Sequence, residues 1–224
     1  MATLYLVRHG QASFAAENYD RLSELGRRQS VWLGEYFAGR GIEFSRAVCG
    51  TLERQRETAR AILDTMGSAL TAAEHPGWNE YSGEALYKAY LGDEWAYARA
   101  KGDVRAVYRT IKAALADWSK DKLPGPLPET WGGFGERIAA AMQSACAGLP
   151  DDAIVLAATS GGAIGRGVAA LLRAPAQTAI ELNLQFRNSG FCEIFFSPRS
   201  LRLISFNCVP HLERADRREA ITYS

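Results

Sequence analysis

The chain has 224 residues, the size of one α/β domain or two small domains. It carries 26 lysines and arginines against 25 aspartates and glutamates, a formal net charge of +1, and 47% of its residues are hydrophobic. This balance is typical of a globular protein and excludes collagen, coiled coil and disorder. A protein that binds nucleic acid or an anionic membrane through bulk charge needs an excess of basic groups, so any anion site here must be local.

The sequence gives no sign of a membrane segment or a metal site. No apolar run approaches the roughly 18 residues of a membrane-spanning helix, and the beginning of the chain lacks the features of a signal peptide. The four cysteines lack metal-ligand spacing and lie in predicted strands or on an apolar helix face: Cys49, Cys146, Cys192 and Cys208. We therefore expect a cytoplasmic protein without metal or other cofactor, and without a membrane or nucleic-acid partner.

The first part of the chain predicts two units of strand, loop and helix. Leu4–Val7 predicts a strand, and residues 23–37 predict a helix with Ser23 as N-cap. The apolar residues at helical spacing in that helix are Leu25, Val31, Trp32 and Tyr36. Phe44–Cys49 predicts the second strand, and Glu53–Met66 predicts a helix whose apolar face holds Ala59, Ile62, Leu63 and Met66.

A third unit follows later in the chain. Ala153–Ala158 predicts a buried strand, Ser160-Gly161-Gly162 a tight turn, and Ala163–Leu172 a helix. Alternation of strands and helices predicts a three-layer α/β fold, with a mostly parallel central sheet covered by helices on both faces. Residues 191–196 and 201–209 predict a late antiparallel pair in that sheet. Residues 85–128 predict a helical insertion within a single domain over residues 1–224.

Three polar motifs follow predicted strands, where ligands of open α/β sheets bind. They are Arg8-His9-Gly10, residues 51–54 and Ser160-Gly161-Gly162. Arg8 and Arg54 carry charged, forked donors that suit phosphate, and a Gly-Gly turn that opens a helix adds backbone N–H donors. Burial among these cations favours the neutral imidazole of His9, the form that attacks phosphorus. The pattern indicates a phosphate pocket with a nucleophilic histidine.

Several segments in chain order resemble the histidine phosphatase superfamily, the phosphoglycerate-mutase-like proteins. They are residues 4–10, 22–29, 52–59, 79–83 and 207–212. The resemblance implies a metal-independent phosphomonoester hydrolase, acting on a small phosphorylated substrate. By similarity His9 is phosphorylated, Arg8 and Arg54 bind the phosphoryl group, and Glu80 protonates the leaving oxygen. Glu74 and Glu84 are alternative acids.

The chain departs from the family pattern at Ser160, where the family usually has a second histidine that binds phosphoryl oxygens. Serine keeps one neutral donor and loses a cation, and the loss of one preorganised donor costs about 10²–10³ in rate. Ser160, Gly161 and Ser13 are the further expected phosphate contacts. His211 could replace the missing histidine, although its neighbours favour a structural role.

Three other functions stay open on the sequence. A phosphoglycerate-mutase-type phosphotransferase is a near relative, but residues 162–165 differ from those typical of that subgroup. The missing histidine favours a weakly active or non-catalytic phospholigand-binding protein. A serine hydrolase would use Ser160 as nucleophile and His211 as base, but the turn lacks the first glycine of Gly-x-Ser-x-Gly.

Overall fold

Strands and helices alternate along the chain of this computed structural model, which describes residues 2–13, 20–92, 104–197 and 199–223. The strands are β1 (Ala2–Arg8), β2 (Arg46–Cys49), β3 (Ala73–Glu74), β4 (Ile154–Thr159), β5 (Phe191–Ser197) and β6 (Ser200–Cys208). The α-helices are α1 (Glu24–Gly39), α2 (Glu53–Thr65), α3 (Gly83–Leu91), α4 (Val104–Trp118), α5 (Trp131–Cys146), α6 (Gly161–Leu171) and α7 (Ala176–Leu184).

The strands form one sheet in the order β3-β2-β4-β1-β5-β6. The pairs β1 with β4, β4 with β2 and β2 with β3 are parallel, whereas β5 pairs antiparallel with both β1 and β6. The predicted α/β class with a mostly parallel sheet is therefore confirmed, as is the late antiparallel pair. Parallel strands end at the same edge, so this topology gathers the residues that follow β1, β2 and β4.

Strand β1 lies near the middle of the sheet and is covered on both faces. Successive side chains point to opposite faces of a strand, so a strand buried on both faces is a continuous apolar run. Leu4 and Leu6 pack into a core with side chains of α5 and α6, including Phe134, Ile138, Ile164 and Val168. Tyr5 and Val7 pack on the other face with side chains of α1 and α2, including Leu33, Phe37, Ile62 and Leu63.

The buried face of α1 differs from the prediction. The four apolar positions predicted to form it are exposed or half-buried: Leu25, Val31, Trp32 and Tyr36. The polar side chains of Gln29 and Ser30 are fully buried instead, beside the apolar Leu33 and Phe37. The Gln29 amide donates to the carbonyl of Ala220 at 2.7 Å, and the Ser30 hydroxyl donates within its own helix. Apolar periodicity misses this face because hydrogen bonds compensate the burial of polar groups.

Other elements also differ from the prediction. Helix α6 begins at Gly161, so Gly161 and Gly162 form its first turn rather than a separate tight turn, and Ser160 is its N-cap residue. The sequence analysis gave no indication of β3 or α7, and indicated α5 only through the apolar helix face that holds Cys146. Helix α4 and most of α3 lie within residues 85–128, of which residues 93–103 lie outside the described part of the chain. That this segment is an insertion in a single domain stays a prediction.

The loop after β1 crosses α1 at two glycines. A Cβ atom on Gly26 would lie 2.1 Å from the carbonyl oxygen of Gln11, and one on Gly10 would lie 2.3 Å from the carbonyl oxygen of Gly26. Both obstacles are backbone atoms, so they cannot rotate away as the end of a side chain could. The two glycines allow the residue after His9 to contact the helix directly.

We expect Gly26→Ala to lower the free energy of unfolding by about 1–3 kcal/mol, because the added methyl group overpacks this crossing. The matched control is Gly39→Ala on the same helix, where an added Cβ meets nothing within 4 Å. This control should raise the free energy of unfolding by about 0.4–1 kcal/mol. Urea unfolding followed by circular dichroism measures both variants. Similar changes in the free energy of unfolding of the two variants would contradict the close contact between the loop after β1 and α1.

Candidate active site

The ends of β1, β2 and β4 meet at one edge of the sheet. Arg8 pairs with Thr159 across β1 and β4, and the backbone N–H of His9 donates to the Thr159 carbonyl at 2.9 Å. Beside them, the N–H of Gly50 at the end of β2 donates to the Ala158 carbonyl at 3.2 Å. The three polar motifs of the sequence therefore lie next to one another.

His9 is buried, and its two ring nitrogens have different partners. Nδ1 lies 2.7 Å from the carbonyl oxygen of Gly10. A carbonyl oxygen only accepts, so Nδ1 carries the hydrogen and Nε2 keeps its lone pair. The Nε–H of Arg54 donates to Nε2 at 3.1 Å. The ring therefore presents a basic nitrogen to the side of the pocket where Arg54 lies.

The surroundings of His9 keep its imidazole neutral. Burial lowers the pKa of His9 well below its ordinary value of 6.5, and the positive charges of Arg54 and Arg8 lower it further. The Gly10 carbonyl opposes this shift only in part. A neutral imidazole at pH 7 is the form with a lone pair available for attack on an electrophile.

Arg54 lies in the first turn of α2 and is held by Asp20. The Nη1 atom of Arg54 lies 2.6 Å from one carboxylate oxygen of Asp20, and the other oxygen accepts from the backbone N–H of Glu53 at 2.8 Å. Asp20 thus caps the start of α2 and fixes the guanidinium whose Nε faces His9. The arrangement combines a charged pair with a carboxylate at a helix N-terminus, which are both favourable.

Arg8 extends from the end of β1 toward the start of α6. Its Nη1 donates to the carbonyl of Phe186 and, at 2.9 Å, to the carbonyl of Tyr223. A Cβ atom on Gly161 would lie 3.5 Å from Nε of Arg8 and 2.9 Å from Oδ1 of Asn183. The guanidinium therefore lies against the N-terminal end of α6, where backbone dipoles also favour an anion.

Glu80 contacts the same helix end. Its Oε2 accepts from the backbone N–H of Gly162 at 2.8 Å, and its Oε1 accepts from the N–H of Tyr81 at 3.1 Å. A Cβ on Gly162 would lie 2.1 Å from Oε1, so a glycine is needed for this approach. Burial raises the pKa of Glu80, although the Gly162 N–H, Arg54, the Tyr81 N–H and Arg8 oppose the shift. A raised pKa suits a carboxyl group that must donate a proton near neutral pH.

The other two carboxylates that the sequence offered as acids lie on the surface. Glu74 is exposed and pairs with Arg56 at 3.4 Å. Glu84 is exposed and pairs with Lys88 at 2.7 Å within the first turns of α3. Of the three candidates, the structure brings only Glu80 to the start of α6.

Ser160 and Ser13 are placed differently. Ser160 is fully buried, and its hydroxyl oxygen accepts from Nε2 of Gln55 at 2.8 Å. Ser13 is half-buried, and its backbone N–H donates to the carbonyl of Arg21 at 2.8 Å. Within the described residues, the Ser13 hydroxyl makes no hydrogen bond to the groups around His9. Ser13 therefore has weaker structural support as a phosphate contact than Ser160 has.

The ring of His211 contacts Ser189, and no hydrogen bond joins it to Ser160 in the described residues. Its Nε2 is 2.7 Å from the hydroxyl oxygen of Ser189, a residue whose backbone N–H donates to the carbonyl of His9 at 3.2 Å. The hydroxyl of Ser160 contacts Gln55 instead. This geometry contradicts both a serine-hydrolase pair of Ser160 and His211 and the replacement of the missing histidine by His211.

Two side chains of this site escaped the sequence analysis. Asp20 lies in a loop, where a carboxylate carries no signal of its own. Gln55 did carry one, because it lies four residues before Ala59 and seven before Ile62, in line with the apolar face of α2. A polar residue at such a position is buried with the face and needs partners from elsewhere in the fold.

The comparisons with known proteins show the family of the chain. A sequence profile of the histidine phosphatase superfamily (branch 1) matches residues 4–209, and the chain belongs to this family. It is 26% identical over 202 residues to a probable phosphoglycerate mutase, GpmB, of Erwinia tasmaniensis, covering 87% of this chain and 85% of that one. A shorter match, 40% over 60 residues, is to the mitochondrial serine/threonine-protein phosphatase Pgam5 of Caenorhabditis briggsae, covering 27% of this chain and 21% of that relative.

The fold also resembles solved structures over nearly its whole length. The complex of mycobacterial glucosyl-3-phosphoglycerate phosphatase with inorganic phosphate has a TM-score of 0.62 and 26% identity, covering 94% of this chain and 99% of that one. Within the described ranges, no helix is long and apolar enough to cross a membrane. Within the same ranges, His, Cys, Asp and Glu side chains form no group of three or more suited to a metal ion.

Burial of His211 gives a prediction about acid stability. Burial, with a contribution from Arg217, lowers the pKa of His211 from 6.5 to about 3. Below pH 6.5 the imidazole of His211 is protonated in the unfolded chain but stays neutral in the folded protein. The free energy of unfolding therefore falls as the pH falls. From pH 6.5 to 4.5 the contribution of His211 approaches about 1.4 kcal/mol per pH unit.

We therefore expect His211→Gln to reduce the loss of stability between pH 6.5 and 4.5, measured by urea unfolding at each pH. Folding also lowers the pKa of His9 and raises the pKa of Glu80. Both residues are present in the wild type and in His211→Gln, so their contributions cancel when the two proteins are compared. His75→Gln on the exposed loop is the matched control for the exchange of a histidine for glutamine. An unchanged slope in His211→Gln would show that His211 is protonated in the folded state.

Proposed function

We propose that the protein is a phosphomonoester hydrolase that acts through a phosphohistidine on His9, without a metal ion. One observation carries the proposal: a buried, neutral histidine presents a basic nitrogen beside two arginines at the ends of parallel strands. Membership of the histidine phosphatase superfamily, with phosphatases and mutases among the similar proteins, supports phosphoryl transfer in general.

In the first step, the lone pair on Nε2 of His9 attacks phosphorus and the bond from phosphorus to the leaving oxygen breaks. Arg54 releases its hydrogen bond to Nε2 and donates to a phosphoryl oxygen instead, while Arg8 binds another from the side of α6. The carboxyl group of Glu80 transfers its proton to the leaving oxygen, and the alcohol departs. The products of this step are a phosphorylated His9 and an ionised Glu80.

In the second step, water attacks the phosphorus of the phosphohistidine. The Glu80 carboxylate takes a proton from that water, the bond between phosphorus and Nε2 breaks, and inorganic phosphate leaves. Glu80 returns to its protonated form and His9 to its neutral form, so the cycle closes. One carboxyl group thus serves as acid and then as base, as microscopic reversibility requires.

The phosphoryl group of the substrate would be held by charge and by backbone dipoles together. Arg8 and Arg54 supply the charge, and Ser160, Gly161 and Ser13 supply neutral donors. We propose a small phosphorylated compound as substrate, bound in the cytoplasm. A mutase shares the first step and differs in the acceptor of the phosphoryl group, so assays with 3-phosphoglycerate that follow both phosphate release and isomer formation separate the two functions.

We expect wild-type protein quenched during turnover of p-nitrophenyl phosphate to carry one phosphoryl group on His9, detected by mass spectrometry at alkaline pH. His9→Ala should lose the label and lower kcat by a factor on the order of 10⁴ or more. His75→Ala, which alters an exposed histidine, should keep both label and rate. A wild-type protein that binds inorganic phosphate but takes no label would be a binding protein and not an enzyme of this class.

We expect Glu80→Gln to affect substrates according to their leaving groups. The amide keeps the shape of the side chain but cannot donate a proton as an acid, so kcat for an alkyl phosphate should fall by about 10²–10⁴. The p-nitrophenolate ion leaves without a proton, so the loss with p-nitrophenyl phosphate should be much smaller. Glu84→Gln on the surface of α3 is the control and should leave both rates unchanged. Equal losses with both substrates would remove Glu80 from the acid role.

A further inference from the structure

Gln55 and Ser160 form a fully buried polar pair at the edge of the proposed phosphate site. The Gln55 nitrogen, Nε2, donates to the Ser160 hydroxyl oxygen at 2.8 Å and to the backbone carbonyl of Trp78 at 3.1 Å. A carbonyl oxygen only accepts, so the nitrogen of the amide, and not its oxygen, must face Trp78. The orientation of the Gln55 amide is thereby fixed, and Ser160 is the acceptor in their hydrogen bond.

The direction of this bond leaves the hydrogen of the Ser160 hydroxyl for another partner. A serine hydroxyl has one hydrogen to donate, and its oxygen already accepts from Gln55. Ser160 occupies the N-cap position of α6, but its side chain makes no capping hydrogen bond there. In the part of the chain that the structure describes, no acceptor receives this hydrogen. A phosphoryl oxygen would satisfy it.

The position of Ser160 places that hydrogen at the proposed phosphate site. Ser160 follows β4 directly, and β4 pairs with β1, whose end carries Arg8 and His9. The next residue, Gly161, lies beside the guanidinium of Arg8. We infer that Gln55 is a positioning residue, which turns the Ser160 hydroxyl so that it donates to a phosphoryl oxygen. This inference rests on the proposed function of the site.

In the amide of Gln55 the nitrogen has hydrogen-bond partners and the oxygen has none in the described part of the chain. Its Oε1 is buried and accepts no hydrogen bond from the described residues. A Cβ on Gly50 would lie 1.8 Å from this oxygen and 2.7 Å from Oδ1 of Asn79. Gly50 therefore provides the space in which the amide lies. An unsatisfied buried acceptor is costly to the fold, so a purely structural residue here would be better apolar.

The test is a double-mutant cycle with Gln55→Met, Ser160→Ala and the double variant. Methionine keeps the volume of Gln55 and removes its donor, which favours retention of the fold. For each protein we would measure kcat and KM with p-nitrophenyl phosphate, inhibition by orthovanadate, the dissociation constant of inorganic phosphate, and the melting temperature. Thr65→Ala, at the far end of α2, is the matched control for loss of a helix hydroxyl bond.

Both single variants should lower kcat/KM by on the order of 10²–10³ and weaken inhibition by orthovanadate by a similar factor. The double variant should be no worse than Ser160→Ala, because Gln55 acts through that hydroxyl. Gly50→Ala, which pushes the amide away without changing Gln55, should show part of the same loss. Additive losses in the double variant, or a lower melting temperature with unchanged orthovanadate inhibition, would overturn the inference and leave Gln55 a structural role only.

The same series separates failure of the inference from failure of the proposed function. A wild-type protein that binds phosphate but neither hydrolyses p-nitrophenyl phosphate nor takes a label fails as a hydrolase. In that case the double-mutant cycle uses the dissociation constant of inorganic phosphate in place of kcat/KM. Non-additive losses of phosphate affinity support the role of Gln55, and additive losses overturn it. A wild-type protein that binds neither phosphate nor orthovanadate would overturn both.

Discussion

The site depends on one constraint: His9 must stay neutral while two arginines lie beside it. Burial and the charges of Arg54 and Arg8 together prevent protonation, and the Gly10 carbonyl takes the single ring hydrogen on Nδ1. Nε2 is then the nitrogen that can react. This geometry exists only because Gly10 allows the loop to contact α1 at Gly26, so the backbone crossing and the chemistry of the ring depend on each other.

The positive charge around His9 is a local feature of a protein whose net charge is only +1. Arg54 is oriented by Asp20, and Arg8 by two backbone carbonyls. The start of α6 adds N–H donors, one of which is taken by Glu80. In the proposed mechanism a dianionic phosphate meets donors from several elements, and donors held in place in this way stabilise the charge that develops in the transition state. In that proposal Ser160 adds a neutral donor to the two arginines.

Much of the fold could be predicted from the sequence because the central strands β1, β2 and β4 are buried on both faces and so appear as apolar runs. The order of the motifs also placed Arg8, His9 and Arg54 at strand ends, where the parallel pairing brings them together. The partners of the buried polar side chains could not be predicted. Gln29 bonds to Ala220, and Gln55 bonds to Ser160, more than a hundred residues away in each case. Local periodicity contains no information about such partners.

The sequence also could not decide which of the three glutamates lies at the site. Glu74, Glu80 and Glu84 are close in the chain, and only the approach of the loop to Gly162 distinguishes Glu80 from the two surface carboxylates. Likewise, the sequence could not show that the buried hydroxyl of Ser160 is bonded by Gln55. Both answers depend on which backbone segments meet at the start of α6.

The tautomer and charge of His9 can be observed directly by nitrogen-15 NMR of the imidazole rings, which is practical because the chain has only three histidines. Assignment follows from His9→Ala and His75→Gln. We predict that His9 is neutral at pH 7 and stays neutral when the pH is lowered to its ordinary pKa of 6.5, with the hydrogen on Nδ1 and a lone pair on Nε2. An imidazolium at pH 6.5 or above, or a neutral ring with the hydrogen on Nε2, would contradict this.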